Sequence, residues 1–519
     1  MSVINLNRRR FLATGAGAAL NLQAQAPKKR VAAIITMYTQ DHGFYSHAAV
    51  IVGRLLEGYS PNGVFTAPRT QLVSMYTAQT PANDLSRGLS QKYGFKIYPT
   101  IKDAMTLGGE DLAVDAVCFI GEHGNYPYNE RGQHLYPRYE LMEPIVEVFR
   151  RTARTVPVFS DKHFSYSLSK AKQMYAWSRE LNYPVMAGSS IPLTQRSPRL
   201  EIPYDAQIEN ALTLGYGELD AYGFHTLEAL QCMVERRKGG ETGIRSVQWI
   251  EGDAVWQWRD GPGRWSIPLL AAALSRNPSL KPGRIEDNVK EPVVFVLEYL
   301  DGMQAASYML EGHVKAWSFA AKLKSSAEPV STFFEQGDQP GSRPFPHFDA
   351  LMHCMEEMFV TGKPLNPVER TLLTTCTLSM LFESRAWKKR IETDQLRIYL
   401  AIHTSSGRKT PRRGFYQSSF SPNWIWRIGE IVPVIAPGPC TILACDGNMR
   451  FPEAPAVGLK PPPVFRPPFG MPNCGVLVML KNSARNCSFR RSIKSKFLKR
   501  ETSALWNPGP SSIARPALP

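Results

Sequence analysis

Over residues 31–187, short apolar runs alternate with segments of helical period, and this alternation restricts the possible folds more than any other feature of the chain. Strand-like runs are read at 31–38, 71–76, 96–98, 114–120, 157–159 and 185–187. Helical periods fill 45–56, 81–93, 100–107, 141–152 and 167–181. Runs that are apolar on both faces mark strands covered on both sides, as happens where helices sandwich a parallel sheet. The expected class is α/β, with a doubly wound parallel sheet over residues 27–195.

The pattern changes after about residue 196. Longer strand-like runs at 244–253, 255–259, 293–300, 304–310 and 315–323 are joined by turns such as Asp301-Gly302. They predict an α+β domain over 196–396 with a mostly antiparallel open sheet. Helices return at 348–361 and 367–388, the second announced by Asn366-Pro367, a cap residue followed by proline at the first helical position. The exposed face of an open sheet tends to be covered, which suits a homo-oligomer.

A formal charge of +16 would suggest nucleic acid or a membrane surface if it were spread over the chain. It is not. Residues 397–519 carry 18 Lys and Arg against 4 Asp and Glu, which leaves residues 1–396 at +2. The globular part therefore lacks the basic character of a nucleic-acid binder. The tail also holds 17 of the 41 prolines and no periodicity, so it reads as a disordered basic tail without a catalytic role. The eight cysteines (Cys118, Cys232, Cys354, Cys376, Cys440, Cys445, Cys474, Cys487) show no Cys-x-x-Cys or metal-knuckle spacing. The first four lie in apolar contexts, where cysteine behaves as a small hydrophobe.

At the amino end, Arg8-Arg9-Arg10-Phe11-Leu12 fits the twin-arginine pattern. A mildly apolar stretch over 11–22, too short to span a bilayer, leads to the small-residue site Ala24-Gln25-Ala26. Residues 1–26 thus read as a twin-arginine signal peptide, with a periplasmic or extracytoplasmic destination. No other segment is long and apolar enough for a transmembrane helix, so no stable membrane insertion is expected.

Chemistry-bearing residues gather where the strands end. Val156-Pro157-Val158-Phe159-Ser160 runs into Asp161-Lys162-His163, an acid, a base and an imidazole. In open α/β sheets ligands bind outside the carboxyl ends of the strands. His42 follows the first strand and Glu122-His123 follows the run 114–120, and with Asp41, His47 and His225 they could form a polar cluster at the sheet's carboxyl edge. Histidines and carboxylates are metal-binding residue types, but no His-x-x-x-His or Glu-x-x-His pair enforces a geometry, and no metal ligand is assigned. Tyr126, Tyr128 and Tyr136, near His123 and His134, read either as a wall for a sugar-like ligand or as a loop packed on the next domain.

In their order and spacing these segments resemble the glucose–fructose oxidoreductase / inositol dehydrogenase (Gfo/Idh/MocA) family. Asp161-Lys162-His163 stands where family members have Glu-Lys-Pro. Gly188-Ser189-Ser190 and Arg196-Ser197-Pro198 follow, where the family has an Arg-x-x-Pro-like run. Gly223-Phe224-His225-Thr226-Leu227-Glu228 resembles its Gly-x-His-x-x-Asp. The resemblance covers roughly residues 31–396. It implies a Rossmann-like dinucleotide-binding domain, then a substrate domain, and an oxidoreductase moving hydride between NAD or NADP and a sugar, cyclitol or related polyol.

On this resemblance Lys162 lies beside the nicotinamide and touches the substrate hydroxyl, and His225 is the general base. Asp220 is the carboxylate offered for the family's aspartate, one position further from His225, because Ala221 stands where the family has it. Thr36, Tyr38, His42, Gly121, His123, Asp161 and Lys162 are the implied cofactor contacts. Lys162, His163, Tyr126, Arg196 and His225 are the implied substrate contacts. The turn at 36–43 carries one glycine in place of Gly-x-Gly-x-x-Gly, and Ser74-Met75-Tyr76-Thr77 ends its strand without an acid for a ribose. Those departures define the alternative, a member of the fold that serves as a sugar-binding protein or metal-assisted enzyme.

Overall fold

A computed structural model describes residues 27–41, 44–337 and 344–399. The signal-like leader, His42 and the basic tail from residue 400 lie outside the described residues. The first half runs β1 (Lys29–Ile35), a short hairpin of β2 (Gln40–Asp41) and β3 (Phe44–Tyr45), α1 (His47–Glu57), β4 (Thr70–Thr77) and α2 (Ser86–Tyr93). It continues through β5 (Lys96–Ile97), α3 (Ile101–Thr106), β6 (Ala116–Ile120), α4 (Arg138–Thr152), β7 (Val158–Asp161), α5 (Leu168–Glu180) and β8 (Val185–Gly188). Six of these strands form one parallel sheet in the order β5-β4-β1-β6-β7-β8. Every residue of β6, β7 and β8 is buried, which is why they read as continuous apolar runs. The order reverses at β1, so the crevice of the sheet opens where β1 and β6 end.

The second half supplies β9 (Arg196–Ser197), β10 (Ile208–Gly215), β11 (Ile244–Glu251), β12 (Val293–Tyr299), β13 (Gln304–Met309), β14 (Ser318–Leu323), β15 (Val330–Phe334) and β16 (Ile391–Glu392). Its helices are α6 (Ala221–Val234), α7 (Ala254–Asp260), α8 (Ile267–Leu274), the single turn α9 (Ile285–Asn288), α10 (His347–Thr361) and α11 (Val368–Trp387). The eight strands order as β16-β11-β12-β13-β10-β14-β15-β9. All neighbours are antiparallel except β10 and β13. The α/β class with a mostly antiparallel second sheet is therefore as the sequence indicates.

Four features depart from the sequence reading. Residues 255–259, expected as a strand, form α7. Gly252 (φ 66°) turns the chain out of β11, and Asp253 O then accepts the N–H groups of Trp256 and Gln257. Second, β10 lies at the middle of the sheet although no strand was read there. Third, α11 starts at Val368, with Pro367 itself in the cap position. Fourth, the sheet face expected to await a second copy is closed by the chain's own helices. Leu269, Leu270 and Ala273 of α8 pack on Leu212, Leu214, Tyr308 and Ala320, with Trp256, Trp258 and Trp265 around them.

The opposite face carries α6 and α11. The helix α10 instead returns to the parallel sheet. Its Leu351, Met352, Met355 and Met358 share a core with Val31, Ala33, Cys118 and α1. Arg54 of α1 donates to Asp349 of α10 at 2.5 Å, both side chains buried. One helix layer over the first sheet is thus assembled from both ends of the described chain.

Candidate functional site

β7 carries Asp161 to the carboxyl edge of the parallel sheet, and Lys162 follows at φ 60°, donating its N–H to Gly188 O at 3.2 Å. His123, just beyond β6, has φ 67°. For non-glycine residues this left-handed region costs on the order of 1–3 kcal/mol each and persists only where the surroundings dictate it. Two such residues at adjacent strand ends mark the place. At Gly188 (φ 115°) a Cβ would lie 2.6 Å from Glu228 Oε1, so the turn beside Lys162 requires glycine.

The centre of the site is a buried carboxylate shared by two cations. Lys162 Nζ donates to Glu122 Oε1 at 2.7 Å, and Arg138, at the start of α4, donates to the other Glu122 oxygen. Glu122 is 2% exposed and Arg138 wholly buried. Burial alone would push the Glu122 carboxyl up, but the charges of Lys162 and Arg138 outweigh it and hold it well below the ordinary range. Arg138 Nη1 also donates to His163 Nε2 at 3.2 Å. Burial, and then the Arg138 charge, keep His163 neutral by holding it well below its usual value. Its proton is therefore on Nδ1, a buried atom without a protein partner.

On the α1 side, Asp161 Oδ2 lies 2.6 Å from Nδ1 of His47, the first residue of α1. The His47 backbone N–H donates to His123 Nδ1 at 3.1 Å, which fixes His123 as the Nε2–H tautomer. Burial pushes His123 down to about 3. His347 of α10 lies 2.8 Å from Ser190 Oγ through its Nδ1, and burial likewise holds it at about 3.

From the second half, α6 presents His225. Burial, then the charge of Lys162, holds it well below its ordinary value, so the imidazole is neutral. Asp220, in the cap position of α6, accepts the His134 N–H at 2.8 Å, and burial pushes its carboxyl up to about 6. Among the described contacts no hydrogen bond joins Asp220 to His225. Three residues beyond His225, Glu228 accepts the Ser189 N–H at 2.7 Å and lies 3.0 Å from the Thr371 hydroxyl.

Of the residues singled out in the sequence, Asp161, Lys162, His163, His123 and His225 come together. Thr36 sits at the crevice with its side chain committed, donating to Glu122 O at 2.6 Å. Tyr38 is buried in the core under α1. Gly121 makes room for Arg138, whose Cγ would meet a Cβ at 2.6 Å. Arg196 donates to Thr194 O, Pro192 O and Cys232 Sγ and lines a separate small cavity with Glu201 and Arg370. Tyr126 packs edge-on against Tyr136, in a ladder with Tyr128 and His134. The sequence reading missed Arg138, His347 and Glu228 as parts of the site. Glu228 was visible as the last residue of the Gly223–Glu228 motif, whereas nothing local marks Arg138.

A dinucleotide in this fold lays its pyrophosphate on backbone N–H groups at the amino end of the first helix. In α1 two of those groups are engaged, His47 N–H with His123 and Ala49 N–H with Ser46 Oγ at 3.2 Å. The turn after β1 is also stitched to the segment after β4, by Gln79 N–H to Thr36 O (2.7 Å) and Leu85 N–H to Tyr38 O (3.0 Å). These residues do not form the usual phosphate cradle. Among the described residues, no group of three His, Cys, Asp or Glu side chains is placed to hold a metal ion, and no helix is long and apolar enough to cross a membrane.

No family model matches the chain, and no curated protein matches it. Solved structures similar to it include GenD2 from gentamicin A biosynthesis in complex with NAD, 12% identical, covering 71% of this chain and 97% of that one at TM-score 0.43. They also include apo scyllo-inositol dehydrogenase from Lactobacillus casei (9% identical, 70% and 98% covered, TM-score 0.43). A third is the aldose-aldose oxidoreductase from Caulobacter crescentus complexed with glycerol (14% identical, 71% and 100% covered, TM-score 0.40). At these scores the likeness carries no functional weight.

Proposed function

We propose that the chain is an oxidoreductase of the glucose–fructose oxidoreductase / inositol dehydrogenase type, acting on an uncharged sugar, cyclitol or related polyol with NAD or NADP as hydride partner. The observation that carries this reading is the set of buried polar atoms around Lys162 that have no protein partner: Asp161 Oδ1, Asp220 Oδ1, His163 Nδ1 and His225 Nδ1. They mix donors and acceptors, as hydroxyl groups do. The two cations Lys162 and Arg138 are matched by the two carboxylates Glu122 and Asp161, so an anionic substrate would meet no net positive charge.

In this reading Lys162, with one N–H on Glu122, turns another to the substrate hydroxyl oxygen, while neutral His225 hydrogen-bonds the same or the adjacent hydroxyl. Glu122 and Arg138 fix the Lys162 chain, and the Gly188 turn fixes its backbone. The nicotinamide, when bound, would accept hydride. Its phosphates would have to dock without the His47 and Ala49 N–H groups of α1, and that favours a second reading, a polyol-binding protein without redox chemistry. Fluorescence titration with NADH and NADPH, combined with calorimetric titration of neutral polyols, separates the two. Polyol binding without nicotinamide binding would replace the first reading by the second.

Export by the twin-arginine route is part of the proposal, supported by Arg8-Arg9-Arg10-Phe11-Leu12. Replacing Arg8 and Arg9 with Lys should retain the protein in the cytoplasm; unchanged fractionation would remove the export claim.

A further inference from the structure

His225 is a poor place to put a proton. The imidazolium formed there would be buried, close to Lys162, with no carboxylate hydrogen-bonded to it among the described contacts. His47 has the opposite surroundings. Its Nδ1 meets Asp161 Oδ2 at 2.6 Å, and Asp161 is 1% exposed. A carboxylate accepts at Nδ1, so that nitrogen carries hydrogen and Nε2 is the basic one. Nε2 has no hydrogen-bond partner among the described residues, and the His47 side chain retains 14% exposure, so it can be reached. The ring is held on two further sides, edge-on to His123 at 5.1 Å and to Phe348 at 5.4 Å. The groups that face it are Asp161 from β7, Glu122 and His123 from the loop after β6, His225 from α6 and His347 from α10.

We propose that His47, oriented and charge-balanced by Asp161, is the group that receives the substrate hydroxyl proton, and that the amino end of α1 is a proton-transfer site. In the step the substrate O–H bond breaks, a bond forms between that proton and Nε2, and the oxygen keeps the electron pair. The new imidazolium is paired with the Asp161 carboxylate, the arrangement by which a buried acid supports a histidine base. His225 remains neutral throughout and positions the hydroxyl. The substrate class rests on the polyol reading above; the dyad itself does not.

The test uses the full chain with ¹⁵N-labelled histidine. In the wild type, ring NMR should show His47 protonated at Nδ1, and Asp161→Asn should weaken its proton affinity about tenfold or more. A His47 found as the Nε2–H tautomer, or with a titration untouched by Asp161→Asn, overturns the proposal without any activity being needed. With a polyol that is turned over, His47→Gln should lower kcat on the order of 10²-fold or more while KM stays within about twofold. It should also flatten the acidic limb of the pH profile. A kcat within about threefold of wild type would equally overturn it. Absence of polyol turnover in the wild type would count against the proposed function, and the NMR result would still decide the dyad.

Discussion

Glu228 is a carboxyl whose proton the fold holds up to about pH 7, and its replacement by Gln should stabilise the protein at alkaline pH. The Thr371 hydroxyl has one proton and two acceptors in reach, Ala187 O at 2.9 Å and Glu228 Oε1 at 3.0 Å. A protonated Glu228 resolves this by donating to Thr371 while its other oxygen takes the Ser189 N–H. Burial accordingly pushes the Glu228 carboxyl from the ordinary 4.5 up to about 7. The folded state holds this proton more tightly, so the associated stability is complete below about pH 4.5 and is lost as pH rises through about 7. At about 1.4 kcal/mol per pH unit, the loss comes to about 3 kcal/mol. Gln reproduces the protonated geometry, its Oε1 facing Ser189 and its Nε2 facing Thr371. Urea unfolding of both proteins from about pH 5 to pH 8 should therefore show the advantage of Glu228→Gln growing by about 2–3 kcal/mol. A difference that stays constant with pH would refute the assignment. The position matters for function because Glu228 braces the Gly188 turn that takes the Lys162 N–H.

Two other substitutions probe the charged centre. Glu122→Gln leaves Lys162 and Arg138 buried without their carboxylate and should cost about 3–5 kcal/mol in urea unfolding at neutral pH; a cost under about 1 kcal/mol would show the trio to be solvated. Lys162→Met keeps the Glu122–Arg138 pair, so it should fold, and it should lower polyol turnover about 10²-fold or more; unchanged kcat/KM would take Lys162 out of the chemistry.

The parallel sheet was legible because strands such as Ala116–Ile120 are buried on both faces and have no polar face to interrupt the run. Asp161, Lys162 and His163 were legible for a related reason, being polar residues that follow such a run directly. The partners that give them their roles were not. His47 and Asp161 are 114 residues apart, and Lys162 and Glu122 are 40 apart. Arg138 looks like any basic residue opening a helix, and only Gly121, by lacking a Cβ, admits it to the site. The run 255–259 misled because Val255 and its tryptophans face one sheet, and alternation of that kind over a few residues looks the same in a strand and in a short covering helix. The engaged N–H groups of α1 were foreshadowed by the missing glycines. What takes their place, a histidine on an aspartate, appears only once β7 is laid beside α1.

Polyol-dependent reduction of NAD or NADP by the purified full chain tests the reading of the Lys162 site most directly. The panel should include neutral cyclitols and aldoses with their phosphorylated and carboxylated counterparts. Turnover of neutral members, weaker turnover of the anionic ones and loss of both in Lys162→Met are expected. Turnover confined to anionic substrates, or activity indifferent to Lys162, would contradict it.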